Sequence, residues 1–180
     1  GLGEKTESRG LNRATQSVRQ TGSSIKPIAV IAPALQEKVI TAATAYMDQE
    51  TNFGGNYTPK NQNGKFSNES VNIRYFIAKS LNVPAVKIMR ELTPSKSIEY
   101  LNKMGLSHIT AEQDADLSLA LGGTTNGATP LEMAAAYATI ANDGVYITPT
   151  FYTKVVDSSG NTVLTPKQEQ TRVISEQNAY

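Results

Sequence analysis

The run Arg19-Gln20-Thr21-Gly22-Ser23-Ser24-Ile25-Lys26-Pro27-Ile28 places a hydroxyl and an amine three residues apart where an apolar helix begins. Positions i and i+3 of a helix share a face, with Cβ atoms about 5–6 Å apart, so Ser23 and Lys26 are within reach of one another. A serine hydroxyl attacks poorly until a base takes its proton, and a desolvated, neutral lysine is such a base. Gly22 permits a tight entry. A helix N-terminus favours negative charge developing at Ser23, and Pro27 falls in the first turn, where a missing N–H costs little. The same spacing also suits a serine that merely caps a helix. A second motif has to decide between them.

Outward from this run, a helix is predicted from Ser24 to about Leu35, kinked or ended by Pro33. Residues 1–20 are polar and loop-like, with a short strand near the start. Residues 51–68 are rich in Asn, Gly, Pro and Lys and form a long surface loop, a length at which loops are often functional. Helical spacing runs through Val71, Tyr75, Ala78 and Leu81; Pro84 interrupts it, and Ala85–Leu92 resumes as a second helix. Ser80-Leu81-Asn82-Val83 thus falls at a helix–helix joint. Ser95–Met104 is a further helix closed by Gly105, and Leu117–Leu121 is a short apolar segment ending in Gly122-Gly123. Pro130–Asn142 has proline at its start and Gly144 just past its end. Val145–Val156 and Thr162–Leu164 read as strands joined through Asp157-Ser158-Ser159-Gly160-Asn161, a hairpin. Helices followed by a hairpin predict an α+β fold.

The 180 residues have room for one core, with 39% apolar and 18% charged residues as in ordinary globular domains. A formal net charge of +1 provides no basic field, and Arg9, Arg13, Arg19, Lys26 and Lys38 are scattered, so nucleic-acid binding is not expected. With no cysteine, thiol catalysis and disulfides are excluded. His108, the single histidine, cannot build a zinc site or by itself complete a serine triad, and is read as a surface or capping residue. No metal and no cofactor are expected. There is no apolar run of 18 or more residues and no signal peptide. Gly1 opens amid sequence that reads as already inside a domain, and Ser175–Tyr180 reads as a serine-capped helix stopped within two turns, so the chain is expected to be a piece of something longer.

A serine acyl enzyme that uses lysine instead of histidine needs a further polar group to shuttle the proton to the leaving amine, and an amide to hold the substrate. A Ser-x-Asn pair supplies both. Three occur: Ser70-Val71-Asn72, Ser80-Leu81-Asn82 and Ser159-Gly160-Asn161. The third coincides with the hairpin turn, and Asn72 is expected to project from a helix surface. Ser80 and Asn82, at a joint, can point into a cleft.

Together these stretches resemble the bifunctional (class A) penicillin-binding proteins, whose superfamily is marked by Ser-x-x-Lys, Ser-x-Asn and Lys-Thr-Gly. Arg9-Gly10-Leu11-Asn12-Arg13-Ala14-Thr15 leading to Gly22-Ser23-Ser24-Ile25-Lys26-Pro27 is similar to that family's nucleophile region. Tyr57-Thr58-Pro59-Lys60-Asn61 resembles the loop ahead of its second motif, and Ala78-Lys79-Ser80-Leu81-Asn82-Val83-Pro84-Ala85-Val86 its second-motif joint. Leu119-Ala120-Leu121-Gly122-Gly123 and Thr129-Pro130-Leu131-Glu132-Met133-Ala134-Ala135-Ala136-Tyr137-Ala138 resemble later parts of the same family. Thr21 stands where the family commonly has proline, and Ile25 where an aromatic is usual.

The resemblance implies a penicillin-binding transpeptidase fold, an antiparallel sheet flanked by helices, of which residues 1–180 would be the helix-rich N-terminal portion with only part of the sheet. It selects Ser80-Leu81-Asn82 among the three pairs. It implies Ser23 as nucleophile, Lys26 as proton acceptor, Ser80 as proton relay and Asn82 as binder of the substrate amide. The reaction implied is D,D-transpeptidation of D-Ala-D-Ala stem peptides of peptidoglycan through a serine acyl-enzyme, with hydrolysis (carboxypeptidation) when water takes the acyl group. β-Lactams would acylate Ser23 as false substrates. No Lys-Thr-Gly or Lys-Ser-Gly occurs in the 180 residues, so the domain would be truncated before that strand, and a second chain or segment carrying it is an expected partner. Without it, the chain alone is expected to be neither stable nor active. The implied location is the extracytoplasmic face of a bacterial membrane, anchored by a segment outside this chain. A serine β-lactamase is the rival enzyme, but the glutamate of Glu99-Tyr100-Leu101-Asn102 stands one residue too late for that family's Glu-x-x-Leu-Asn. A non-catalytic β-lactam-sensing receptor domain is the other alternative.

Overall fold

The computed structural model describes residues 8–180. A short strand near the chain start would lie largely outside them. The helices are α1 (Arg13–Gln16), α2 (Ala32–Gln36), α3 (Ile73–Lys79), α4 (Asn82–Leu92), α5 (Pro94–Lys103), α6 (Ala111–Asp114), α7 (Pro130–Ala141) and α8 (Glu176–Ala179). The strands are β1 (Ala45–Met47), β2 (Ser70–Asn72), β3 (Val145–Ile147), β4 (Val155–Val156), β5 (Thr162–Leu164) and β6 (Gln170–Arg172). They pair antiparallel as β1–β2, β3–β6 and β4–β5. The mixed α+β class is as expected, with small sheets beside a helical body.

The predicted first helix forms, but in three registers. Gly22–Ile25 is a tight 3-10 turn, Lys26–Ile31 is a wide π-helical stretch, and Ala32–Gln36 (α2) is regular. The two prolines account for much of this. Pro27 has no N–H to give the Ser23 carbonyl four residues back, and the Lys26 N–H donates to it instead. Farther along, the Ala32 N–H reaches back five residues to Pro27. Pro33 likewise gives nothing to the Ala29 carbonyl, which accepts a 2.6 Å bond from the buried Ser97 hydroxyl of α5. Pro33 therefore bends the pattern without ending the helix. Ile25, Ile28, Ala29, Val30 and Ile31 are all buried, so this central helix is apolar nearly all round and threads the core. Val86, Ile88 and Met89 of α4, Ile98 and Leu101 of α5, and Leu119 in the 117–121 turn belong to the same core.

Three boundaries differ from the sequence reading. Val71 and Asn72 are in a strand, where Val71 buries beside Tyr46, and Asn72 caps α3 by accepting the Tyr75 N–H at 2.9 Å. Pro84 does not interrupt a helix; it sits in the first turn of α4, where its missing N–H is harmless. The break lies earlier, at Ser80 and Leu81. Finally, Val145–Val156 is two strands with different partners, because Pro149 can donate no ladder bond. The hairpin joining Val155–Val156 to Thr162–Leu164 is as predicted, with the Asp157 carboxylate accepting the Ser159 and Asn161 N–H groups.

Candidate active site

The site begins with the break between α3 and α4. Ser80 closes α3 in the left-handed conformation, φ 51° and ψ 43°, with its N–H on the Ile77 and Phe76 carbonyls. A non-glycine residue there costs about 1–2 kcal/mol. The turn directs the Ser80 and Leu81 carbonyls away from the helix ladder, and Asn82 then starts α4.

Lys26 enters this break from the central helix. It is 2% exposed. Its Nζ donates to the Ser80 carbonyl at 2.7 Å, Asn82 Oδ1 at 2.7 Å, the Leu81 carbonyl at 3.1 Å and Ser80 Oγ at 3.2 Å. These are dipoles; among the described residues Lys26 joins no ion pair. Burial penalises the ammonium and lowers its pKa to about 8. An ammonium has three protons for four acceptors, and the Ser80 hydroxyl is the most distant. Once Lys26 is neutral, that hydroxyl can reverse and donate to the free lone pair. At 3.2 Å the two groups are close enough for a proton to pass in either direction.

Asn82 is held on three sides. Its Oδ1 faces Lys26, its Nδ2 donates to the Lys60 carbonyl at 2.6 Å, and its N–H donates to Asn61 Oδ1 at 2.7 Å. Ser23 stands exposed one turn before Lys26. The structure thus brings Lys26, Ser80 and Asn82 into one hydrogen-bonded group; Ser23 borders it without being a member.

The turn holding Ser23 is braced from behind. Arg19 and Ala128 exchange backbone bonds of 3.1 and 2.9 Å, and the Gln20 side chain donates to the Thr124 carbonyl at 2.9 Å. Gly122, φ 78°, lies so close that a Cβ there would strike the Gly22 backbone. From α7, the Tyr137 hydroxyl donates to the Ser24 carbonyl at 2.7 Å. These contacts place the family-like 119–123 and 129–138 stretches directly around the Ser23 turn.

The chain matches the penicillin binding protein transpeptidase domain over residues 3–180. It belongs to that family. The chain is 37% identical over 178 residues to penicillin-binding protein 1F of Bacillus subtilis (strain 168), covering 99% of itself and 24% of that protein. It is 36% identical over 182 residues to penicillin-binding protein 1A of Clostridium botulinum (strain Hall), covering 96% and 22%. Among solved structures, it is similar to penicillin-binding protein 1A from Haemophilus influenzae, with a TM-score of 0.80 and 27% identity over 94% of this chain and 29% of the other. The chain thus spans about a quarter of the length of the curated relatives it matches.

The other two Ser-x-Asn pairs stand apart from Lys26: Asn72 is a helix cap and Asn161 part of a turn. His108 is half-exposed and its Nδ1 lies 2.9 Å from Glu132, which also forms a capping box with Thr129 at the start of α7. Two polar residues of this neighbourhood had no assigned role in the sequence. Asp48 is fully buried and Asn61 nearly so, and both lie behind Asn82. The available signal was an asparagine inside the Tyr57–Asn61 stretch; nothing local distinguishes Asp48 from a solvated acid.

Proposed function

We propose that this chain supplies the acylating centre of a D,D-transpeptidase that cross-links peptidoglycan stem peptides. The observation carrying this reading is the buried Lys26 amine, 2.7 Å from Asn82 Oδ1 and 3.2 Å from Ser80 Oγ, one turn after Ser23. A lysine held by dipoles alone, with its pKa lowered to about 8, provides a useful fraction of neutral amine near neutral pH. Ser23 Oγ attacks the carbonyl carbon of the penultimate D-alanine as its proton passes to Lys26 Nζ. The tetrahedral intermediate then collapses, the C–N bond breaks, and the proton travels through Ser80 Oγ to the departing D-alanine amine. An ester on Ser23 remains. The amine of a second stem peptide attacks it, forming the new amide, and Ser23 recovers its proton through the same pair; water in place of the amine gives hydrolysis.

The Ser23 N–H supplies one donor to the developing oxyanion. The second donor belongs, in this reading, to a Lys-Thr-Gly segment that has no counterpart within the 180 residues. A β-lactam enters as a false substrate and leaves a long-lived ester on Ser23. The reading places the protein on the extracytoplasmic side of a bacterial membrane, where peptidoglycan lies. Among the described residues no helix is long and apolar enough to cross a membrane; in this reading the anchor is a segment outside the 180 residues. The β-lactamase alternative finds no support: Glu99 is exposed on α5 and paired 2.8 Å from Lys96.

Intact mass of the full-length gene product with and without benzylpenicillin, followed by peptide mapping, tests the reading. A lasting adduct of one penicillin on the Ser23 peptide, lost in Ser23→Ala, is the expected result. No adduct, or one on another residue, overturns it.

A further inference from the structure

The hydrogen bonds around Asn82 continue into the loop between β1 and β2. Asp48 is 0% exposed, and both its carboxylate oxygens lie 3.0 Å from Asn61 Nδ2. One of them also accepts the Ser67 N–H at 2.9 Å. Asn61 donates from the same Nδ2 to the Lys65 carbonyl at 3.0 Å, and its Oδ1 accepts the Asn82 N–H at 2.7 Å. Asp48 is also fastened through its backbone, its N–H on the Glu69 carbonyl and its carbonyl accepting the Asn68 N–H. Lys87 of α4 donates to the Met47 carbonyl at 2.7 Å, a second tie between this loop and α4.

Two features of this chain of bonds stand out. A fully buried carboxylate is costly unless its hydrogen bonds are made, and here they are made by the Ser67 N–H and by Asn61, the side chain that accepts the Asn82 N–H. The amide orientations are also forced. Turning Asn61 over would aim its carbonyl oxygen at the Asp48 carboxylate and its NH₂ at the Asn82 N–H; turning Asn82 over would aim NH₂ at Lys26 and oxygen at the Lys60 carbonyl. Each reversal sets like against like in a buried space. Asn61 therefore fixes the backbone of Asn82 at the start of α4, while Lys26 and the Lys60 carbonyl fix which side-chain atom of Asn82 faces which partner.

We propose that Asp48 and Asn61 are positioning residues for the acylation described above, an inference that rests on that reading: Asp48 holds Asn61, and Asn61 holds the Asn82 backbone at the start of α4, the point from which the Asn82 side chain reaches the Lys26 amine. They touch no substrate. Their contribution is to keep the amine and the Ser80 hydroxyl in the one arrangement that passes a proton, where a displacement of about 1 Å can cost about 10²-fold in rate.

The experiment measures acylation of the full-length gene product by a fluorescent penicillin, separating the rate constant at saturating penicillin from the fraction of protein that can be acylated. Asn61→Ala and Asp48→Ala are expected to lower that rate constant about 10–100-fold in the folded fraction. Asn61→Asp keeps an acceptor for the Asn82 N–H but sets two carboxylates together, and is expected to lose as much. The exchange Asp48→Asn with Asn61→Asp restores a donor facing a carboxylate, and is expected to recover at least about tenfold of that loss. An unchanged rate constant in whatever fraction still acylates, with only that fraction or the melting temperature reduced, would show a purely structural loop and overturn the proposal. Failure of the exchange to recover more than either single change would overturn it as well. If the unmodified protein does not acylate at all, the proposed function itself fails, a result distinguishable from these.

Discussion

Lys26 Nζ and Asn82 Oδ1 lie 2.7 Å apart across 56 residues of chain. The bond joins the start of α4, just past its break from α3, to the central helix that threads the core. A buried amine with no carboxylate beside it has one notable property: it gives up its proton far more easily than a lysine in water.

That property sets a pH dependence. The Lys26 pKa falls from 10.5 to about 8 because burial disfavours the ammonium. Acylation that needs neutral amine should rise with pH and level off above about 8, and Lys26→Arg, which cannot deprotonate, should lower it about 10²–10⁴-fold. Stability moves in the same direction. Between about 8 and 10.5 the unfolded chain binds more protons at this position than the folded one, so this group's contribution to stability grows as pH rises through that window. Penicillin acylation rates and urea midpoints measured from pH 6.5 to 10 check both slopes.

Ser80 should show stability and activity moving apart. Its φ of 51° is a conformation glycine adopts freely. Ser80→Gly is expected to raise stability by about 1 kcal/mol while removing the hydroxyl proposed to relay the proton and lowering turnover by about 10²-fold or more. A melting curve beside a transpeptidation or thioester-hydrolysis assay would test the pair of outcomes; a stabilised variant with full turnover would remove Ser80 from the mechanism.

Gly122 should be intolerant of even one methyl group. At φ 78° a side chain is already strained, and its Cβ would meet the Gly22 backbone, which cannot retreat without moving Ser23. Gly122→Ala is expected to cost about 2–4 kcal/mol and to slow acylation of the protein that still folds. Denaturant unfolding and acylation kinetics on one preparation provide both numbers.

Ser97 offers a test of the core alone. Ser97→Ala leaves the Ala29 carbonyl buried without its 2.6 Å partner, a loss of about 1–3 kcal/mol. Pro33→Ala returns an N–H four residues along, so the double variant should lose less than the sum of the single ones. A double-mutant cycle by urea denaturation measures that coupling.

Several features were legible in the chain. Proline at the start of α7 and Gly144 beyond its end bounded that helix to within a residue, because caps and breakers act through local backbone geometry. The Asp157–Asn161 turn was similarly local. The joint at Ser80 is legible in the sequence but its cause is not: Pro84 reads locally as a breaker, whereas the left-handed Ser80 makes the break and Pro84 fits a first turn. Val71 and Asn72 joined a strand although their spacing suited a helix, since pairing with Ala45 and Tyr46 outweighs a weak local preference.

The sequence by itself determined which residues could do chemistry. Ser23 and Lys26 must share a face wherever a helix forms over them, and Ser80 with Asn82 must flank a single residue, because both relations are built from covalent spacing and helical pitch. Only the tertiary structure decided what those groups meet. The lowered Lys26 pKa depends on burial, which no spacing encodes; the resemblance singles out Ser80-Leu81-Asn82 among the three pairs, but that its groups meet the Lys26 amine depends on which joint the central helix enters. Asp48 and Asn61 entered the site through bonds that span 13 and 21 residues. Such long-range bonds form only after apolar burial has brought distant segments together, and so they leave no local pattern in the chain to be read.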